Sequence, residues 1–255
     1  MGSYCITGSM APVPCPAGTY MNSTLNAGNN TYNGLNYFCT LCPSKYVCTQ
    51  GGLSAPNGFC GAGHYCSLGA SSTLPLCTSQ SCSGMYGLCP VGNYCPPGTG
   101  TPIPCQDGSY MNSTGASVCK TCPAGFYCSS SLSTSQYYPC PRGYYCPSGT
   151  GTNWVVCPSG RYGSRPSLSN VDDCTACPPG LYCAGTALTV PSGNCSAGYF
   201  CPQGSQNQFG QVIYAQNNTC PAGFYCPAGS ATPQPCTPGT YNPTTVSATF
   251  CYLHF

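Results

Sequence analysis

Cysteine is the residue type in this chain with the number and spacing to do chemistry. There are 27 cysteines among 255 residues, and C-x-x-C pairs recur at Cys39/Cys42, Cys119/Cys122 and Cys174/Cys177. Such pairs can hold zinc, exchange disulfides or close structural bridges. The redox reading fails for want of a surrounding βαβ pattern. The zinc reading is set aside because the pairs recur as junctions between repeats, and cysteine at this density implies an oxidising compartment. A cytosolic metal store would carry many lysines and few bulky aromatics, whereas this chain has 2 Lys and 21 Tyr. The remaining candidates for catalysis are few: His64, His254, Asp107, Asp172 and Asp173, with no Glu anywhere. His64 occupies a variable position of its repeat and is expected at the surface. Asp172-Asp173 reads as a solvated turn before Cys174. No acid–base pair or nucleophile triad can be placed. No catalytic, cofactor-binding or metal residue is therefore assigned, and the chain is not expected to be an enzyme.

The composition says what must position these cysteines. Ile, Leu, Val and Phe together number 34, about 13% of the chain, below the roughly 20% at which core-building capacity becomes doubtful. The net charge is only +2, which argues against a disordered, highly charged chain. Bridges must therefore substitute for hydrophobic burial. Eight charged residues, Lys45, Lys120, Arg142, Arg161, Arg165 and the three Asp, form no basic patch for nucleic acid and no acidic cluster for calcium.

The cysteines belong to a repeat. The motif C-x-x-G-x-[Y/F]-C closes at Cys60–Cys66, Cys89–Cys95, Cys122–Cys128, Cys140–Cys146, Cys177–Cys183, Cys195–Cys201 and Cys220–Cys226. Cys42–Cys48 is a degenerate copy, with Lys45 in the glycine place and Val47 in the tyrosine place. An open form lacks the closing cysteine and runs on further: Cys15 to Cys39, Cys105 to Cys119, Cys157 to Cys174, and Cys236 to Cys251. The cleanest full unit runs from Cys105 to Cys157, a period of 52 residues. The chain thus divides into a partial repeat (1–14), repeat 1 with an insert carrying Cys77, Cys82, Cys89 and Cys95 (15–104), repeat 2 (105–156), repeat 3 with an insert (157–235) and a partial repeat 4 (236–255). In each motif Pro stiffens the exit from the cysteine. Gly permits a tight turn with positive φ, and Tyr offers a flat face to cover a neighbouring bridge. Modules that bury so little should stack on their neighbours. The predicted fold class is a set of small disulfide-rich repeats, an elongated solenoid-like rod of short β-hairpins and turns with almost no helix.

Two pairing schemes fit. In a ladder, Cys122 pairs with Cys140 and Cys128 with Cys146, repeated as Cys177–Cys195 with Cys183–Cys201 and as Cys42–Cys60 with Cys48–Cys66. In a local scheme each C-x5-C closes on itself. Cys15–Cys39, Cys105–Cys119, Cys157–Cys174 and Cys236–Cys251 are common to both. The ladder is preferred because its bridges span 18 residues, close to the open loops. The lone inserted motif at Cys220–Cys226 favours local closure there.

These residues, C-P-x-G-x-Y, the C-x-x-C-P junctions and runs such as Tyr145-Cys-Pro-Ser-Gly-Thr150, resemble the ephrin-receptor-like cysteine-rich repeats, relatives of the tumour-necrosis-factor-receptor and growth-factor-receptor modules. The resemblance covers nearly the whole chain and brings no catalytic residues. It implies spacers and ligand-presenting stalks, as in surface proteins and flagellar hairs of protists and algae. The degenerate Cys42–Cys48 copy and the inserts depart from the pattern.

Sequons at Asn22, Asn29, Asn112, Asn194 and Asn217 predict N-linked glycan, and Ser/Thr-rich stretches such as Ser129–Ser135 and Thr244–Thr249 could carry O-linked sugar. No apolar run approaches the roughly 18–20 residues of a membrane span. Met1–Cys5 is polar and already within the repeat, so the chain is expected to be mature, trimmed or part of a longer polypeptide. Aligning the ends with the motif puts His254 where a cysteine partner of Cys5 would stand. This leaves Cys5 unpaired and suggests that copies join head to tail. The function expected is an extracellular or cell-surface structural glycoprotein, a segment of a fibre or stalk. The alternative is a receptor or adhesin ectodomain binding a protein or glycan, with Tyr86 and Trp154 as candidate contact residues, although cover over a bridge explains both more simply.

Overall fold

The turn that the motif demands organises the whole fold. In Cys177-Pro-Pro-Gly-Leu-Tyr-Cys183, Leu181 N–H donates to the Pro178 carbonyl at 3.1 Å and Gly180 has φ 84°, the signature of a type II turn. The turn reverses the chain and delivers the two-residue strand Leu181–Tyr182. That strand pairs antiparallel with Gly193–Asn194, immediately before the next motif's Cys195. The same construction recurs: Asn93–Tyr94 pairs with Ile103–Pro104, Tyr144–Tyr145 with Val155–Val156, and Phe224–Tyr225 with Gln234–Pro235.

The computed structural model describes residues 2–4, 10–22, 31–32, 35–36, 39–76, 85–132, 134–212, 218–248 and 251–253. Every sheet among them is a two-stranded antiparallel pair, and the only helix is a single 3-10 turn, Val171–Asp173. The chain is therefore a series of small disulfide-rich β-hairpin repeats. By contact it divides into two compact units, Met1–Thr121 with Ser129–Gln136, and Cys122–Cys128 with Tyr137–Phe255.

Disulfides stand where a core would. Apart from cysteine, the buried apolar residues among those described are Val47, Ala70, Met111 and Leu168. In the first unit Val47, Cys60, Cys66 and Ala70 cluster beneath Tyr86. In the second, Cys157, Leu168 and Cys174 cluster beneath Tyr145. Tyrosine thus covers bridges in both units.

The pairing corrects the ladder. Each closed motif is bridged to itself: Cys42–Cys48, Cys60–Cys66, Cys89–Cys95, Cys122–Cys128, Cys140–Cys146, Cys177–Cys183, Cys195–Cys201 and Cys220–Cys226. The pairs Cys122–Cys140, Cys128–Cys146, Cys177–Cys195, Cys183–Cys201, Cys42–Cys60 and Cys48–Cys66 do not form. The glycine turn is the reason: it brings Cys177 and Cys183 to a Cα–Cα distance of 5.8 Å, in the range a disulfide needs. The open motifs are bridged as Cys15–Cys39, Cys105–Cys119, Cys157–Cys174 and Cys236–Cys251.

Candidate functional site

The feature repeated most faithfully along the chain is the junction between one motif and the next. Between the motifs beginning at Cys177 and Cys195, four backbone hydrogen bonds form. Cys195 N–H donates to the Gly180 carbonyl at 2.9 Å, and Gly180 N–H donates to the Cys201 carbonyl at 2.8 Å. Cys183 N–H donates to the Ser205 carbonyl at 2.9 Å, and Gly204 N–H donates to the Cys177 carbonyl at 2.9 Å. The next junction uses the equivalent groups of Gly198, Cys220, Cys226, Cys201, Ser230, Gly229 and Cys195. In the first unit the same four bonds link the motifs at Cys60 and Cys89, through Gly63, Cys95, Cys66, Thr99 and Gly98. Because backbone supplies every donor and acceptor, the junction tolerates wide variation in exposed side chains.

A second short element, quoted above only as part of the run ending at Thr150, completes several of these junctions. After the closing cysteine comes Pro-x-Gly-[Ser/Thr], as in Cys146-Pro-Ser-Gly-Thr150 and Cys201-Pro-Gln-Gly-Ser205. The hydroxyl bonds back to the proline carbonyl: Thr150 to Pro147 at 2.6 Å, Ser205 to Pro202 at 2.7 Å and Ser230 to Pro227 at 2.7 Å. These hydroxyls are buried, so the bond satisfies a group that burial would otherwise penalise. The glycine of this tail takes positive φ, and it bonds the preceding motif's first cysteine. The signal was present in the run ending at Thr150.

Room is as restrictive as dihedral angle. A Cβ on Gly180 would lie 2.5 Å from the Gly229 carbonyl, two motifs further on. One on Gly160 would lie 2.6 Å from the Gly204 carbonyl. The turns at Gly160 and Gly180 therefore touch the next motif through hydrogen bonds and the one after by close backbone approach.

Four residues other than glycine have positive φ among the described residues, and all stand at glycine places of this pattern. Lys45 (φ 78°) replaces the turn glycine of the degenerate copy. Ser167 (62°), Ala187 (57°) and Val246 (64°) replace tail glycines. They keep the junction bonds: Lys45 N–H donates to the Cys66 carbonyl at 2.9 Å and Val246 N–H to the Cys220 carbonyl at 2.9 Å. Val47, in the tyrosine place of the degenerate copy, is fully buried.

The remaining predicted residues scatter. Asn112 is exposed and accepts from Lys120 Nζ at 2.8 Å through Oδ1, the atom that does not carry N-linked sugar. Asn194 is exposed beside bridged Cys195, and Asn22 is half-buried. Cys5, Asn29, Asn217 and His254 lie outside the described residues, as do Cys77 and Cys82. His64 is half-buried, with Nδ1 3.2 Å from the Ala62 carbonyl.

Asp172-Asp173 is more than a solvated turn. Asp173 Oδ2 accepts from Ser169 N–H at 2.8 Å, Ser169 Oγ at 2.6 Å and Asn170 N–H at 3.2 Å. Asn170 Oδ1 accepts from Asp172 N–H and Asp173 N–H. The two side chains form a reciprocal capping box. The Ser169 hydroxyl bond, with the backbone bonds and Arg165 nearby, holds the Asp173 carboxyl below its ordinary pKa.

Tyr86 lies on the Cys60–Cys66 cluster, whereas Trp154 packs on other rings. Its centroid is 5.0 Å from Tyr127 and 5.6 Å from Tyr144, and Tyr127 is 5.6 Å from Tyr138. Trp154 is 37% exposed and Val155 and Val156 beside it 38% each. Among the described residues no group of three or more His, Cys, Asp or Glu could hold a metal, and no helix is long and apolar enough to cross a membrane. No family model matches the chain, and no curated protein matches it.

Proposed function

We propose that this chain is an extracellular structural glycoprotein, a segment of a fibre or stalk, and not an enzyme. The observation that carries the reading is the junction itself, four backbone hydrogen bonds repeated from motif to motif while side chains vary. A surface built to catalyse or recognise concentrates its unusual groups; here the unusual groups are spread along the chain and serve the repeat. The bridges favour an oxidising compartment outside the cell. The exposed sequons at Asn112 and Asn194 suit glycan display, which would supply the solubility that eight charges cannot. The resemblance to ephrin-receptor-like repeats points the same way. Copies would join head to tail through the same backbone pattern that joins motifs within the chain.

The test is secretion of the full chain followed by negative-stain microscopy and non-reducing peptide mapping. Filaments or thin stalks with occupied sequons are expected. A compact particle, free thiols throughout or bound metal would overturn the reading.

A binding role is the second reading, favoured by the ring cluster around Trp154. Aromatic residues rimming an exposed apolar strand are typical of contact surfaces. Trp154 is the only tryptophan, so its fluorescence reads the site directly. Titration with a glycan panel should quench or shift that emission if the adhesin reading holds, and a Trp154→Ala variant should lose the same ligand on a glycan array.

A further inference from the structure

We propose that the closed motifs are extensible joints and the open motifs are locks, so that the chain lengthens under tension in steps set by the positions of its bridges. The inference rests on the fibre or stalk reading above, because only such a role puts the chain under tension.

The argument is topological. In a closed motif the bridge encloses a turn and one strand only. Cys177–Cys183 encloses Leu181–Tyr182, while the partner strand Gly193–Asn194 lies outside it. The hairpin is therefore held by hydrogen bonds and packing, with no covalent link across it. If it parts and the tail bonds of Ala187 and Leu188 to the Cys157 motif release with it, the chain from Cys183 to Cys195, twelve residue steps, extends to about 40 Å. Cys128 to Cys140 is likewise twelve residues, Cys146 to Cys157 eleven, and Cys226 to Cys236 ten, each with an extended reach of roughly 35–40 Å.

In an open motif the bridge spans the hairpin. Cys157–Cys174 begins before the strand Arg161–Tyr162 and ends directly against its partner Thr175–Ala176. Only Thr175 and Ala176 then lie between Cys174 and Cys177, three residue steps or about 10 Å of chain. Cys15–Cys39 and the pair Thr19–Tyr20 with Thr40–Leu41 repeat this arrangement in the first unit. The hairpin of an open motif cannot open far without breaking sulfur–sulfur bonds.

The device depends on the pairing observed. A ladder bridge from Cys177 to Cys195 would cross the very joint that local closure leaves free. Local closure also keeps each parted motif's turn intact, so the joint can re-form without thiol chemistry. Every described cysteine is bridged within its own motif, and no thiol among them is at hand to scramble the pairs.

Single-molecule stretching of the full oxidised chain, held by its two ends, tests this. The expected record is a series of separate extensions, each no longer than about 40 Å at a joint of twelve residues. The series should recover on relaxation and repeat on the next pull. Reductant should lengthen the total release, because chain held inside the bridges becomes available. Gly180→Ala, which crowds one joint without touching a bridge, should lower the force of a step and leave step lengths unchanged. Three results would overturn the inference: no extension before rupture, release in one all-or-none event, or an identical record with reductant present. Microscopy of filaments reports separately on the fibre reading. Filaments without stepwise extension sink only the joint proposal; stepwise extension without filaments sinks only the fibre.

Discussion

The neighbouring motifs at Cys157 and Cys177 are built alike and bridged differently. In the first, position six after the opening cysteine is Gly163, and the bridge runs on to Cys174. In the second that position is Cys183, and the bridge closes there. Yet both make the same junction. Gly163 N–H donates to the Leu188 carbonyl at 2.8 Å, as Cys183 N–H donates to the Ser205 carbonyl at 2.9 Å. In another open motif Met111 N–H donates likewise to the Thr134 carbonyl at 2.9 Å. Stacking is therefore a property of the turn and its backbone, and the bridge is a clamp laid over it. Moving the clamp alters what the junction can survive without altering how it is made.

Deleting clamps should show the largest difference. Paired Cys157→Ser and Cys174→Ser removes a loop of 17 residues, worth about 3 kcal/mol on the chain-entropy account. Paired Cys177→Ser and Cys183→Ser removes a loop of 6, worth about 2 kcal/mol on the same account. Hydrogen exchange at the Cys177 and Cys195 amides should record the two losses locally. Equal losses would mean that loop length is not what separates open from closed.

Crowding the turn comes next and isolates the backbone from the clamp. Gly180→Ala meets both a left-handed φ of 84° and the Gly229 carbonyl, and should cost about 2 kcal/mol or more. Gly223→Ala meets the φ of 83° with nothing within 4 Å, and should cost about 1 kcal/mol. Thermal unfolding of the two variants against the parent checks the order. If Gly223→Ala proves the worse, close approach two motifs away is not what excludes a side chain at Gly180.

Much of this was legible beforehand, and the failures have physical causes. The motif announced the turn, short strands and the near absence of helix, because C-x-x-G-x-Y prescribes a positive-φ turn and leaves few residues for anything longer. The pairing misled because loop length was weighed without the turn. A span of 18 residues looks entropically favourable, but the turn has already set Cys177 beside Cys183. Ser167, Ala187 and Val246 were invisible as members of the pattern, since glycine was the only marker of that position. Thr150 and Ser205 were quoted or passed over as neighbours, because a hydroxyl folded back on a proline carbonyl has no periodic signature. Asn170 and Asp173 spell a capping box, yet the turn they cap is only three residues long.

Those non-glycine residues offer a gain instead of a loss. Val246→Gly removes a β-branched side chain from φ 64° and should stabilise its junction by about 1 kcal/mol. Lys45→Gly should do the same for the degenerate copy by a little less, since Gly also loses more freedom on folding. A rise in melting temperature is the expected reading. A fall would show that Val246 contributes packing that outweighs its strain.

The smallest expected effect separates open from closed by pH. The Cys157–Cys174 loop is long enough to hold a capped turn, and that turn depends on a carboxylate. The Asp173 carboxyl is held below its ordinary value, chiefly by the Ser169 hydroxyl. A lowered folded pKa means the fold prefers the ionised form. Its contribution is thus complete above the ordinary carboxylate value and is lost as pH falls through the folded pKa. Acidification should therefore loosen the Asp172 and Asp173 amides, whose acceptor Asn170 Oδ1 belongs to the same box. The Cys177–Cys183 loop contains no carboxylate or histidine and should be unmoved. Exchange measured from neutral to acid pH should show protection falling at Asp172 and Asp173 while the Gly180 amide holds, and Asp173→Asn should abolish the pH dependence. Parallel loosening of both loops would mean that acid acts on the shared junction, and the open loop would lose its claim to a chemistry of its own.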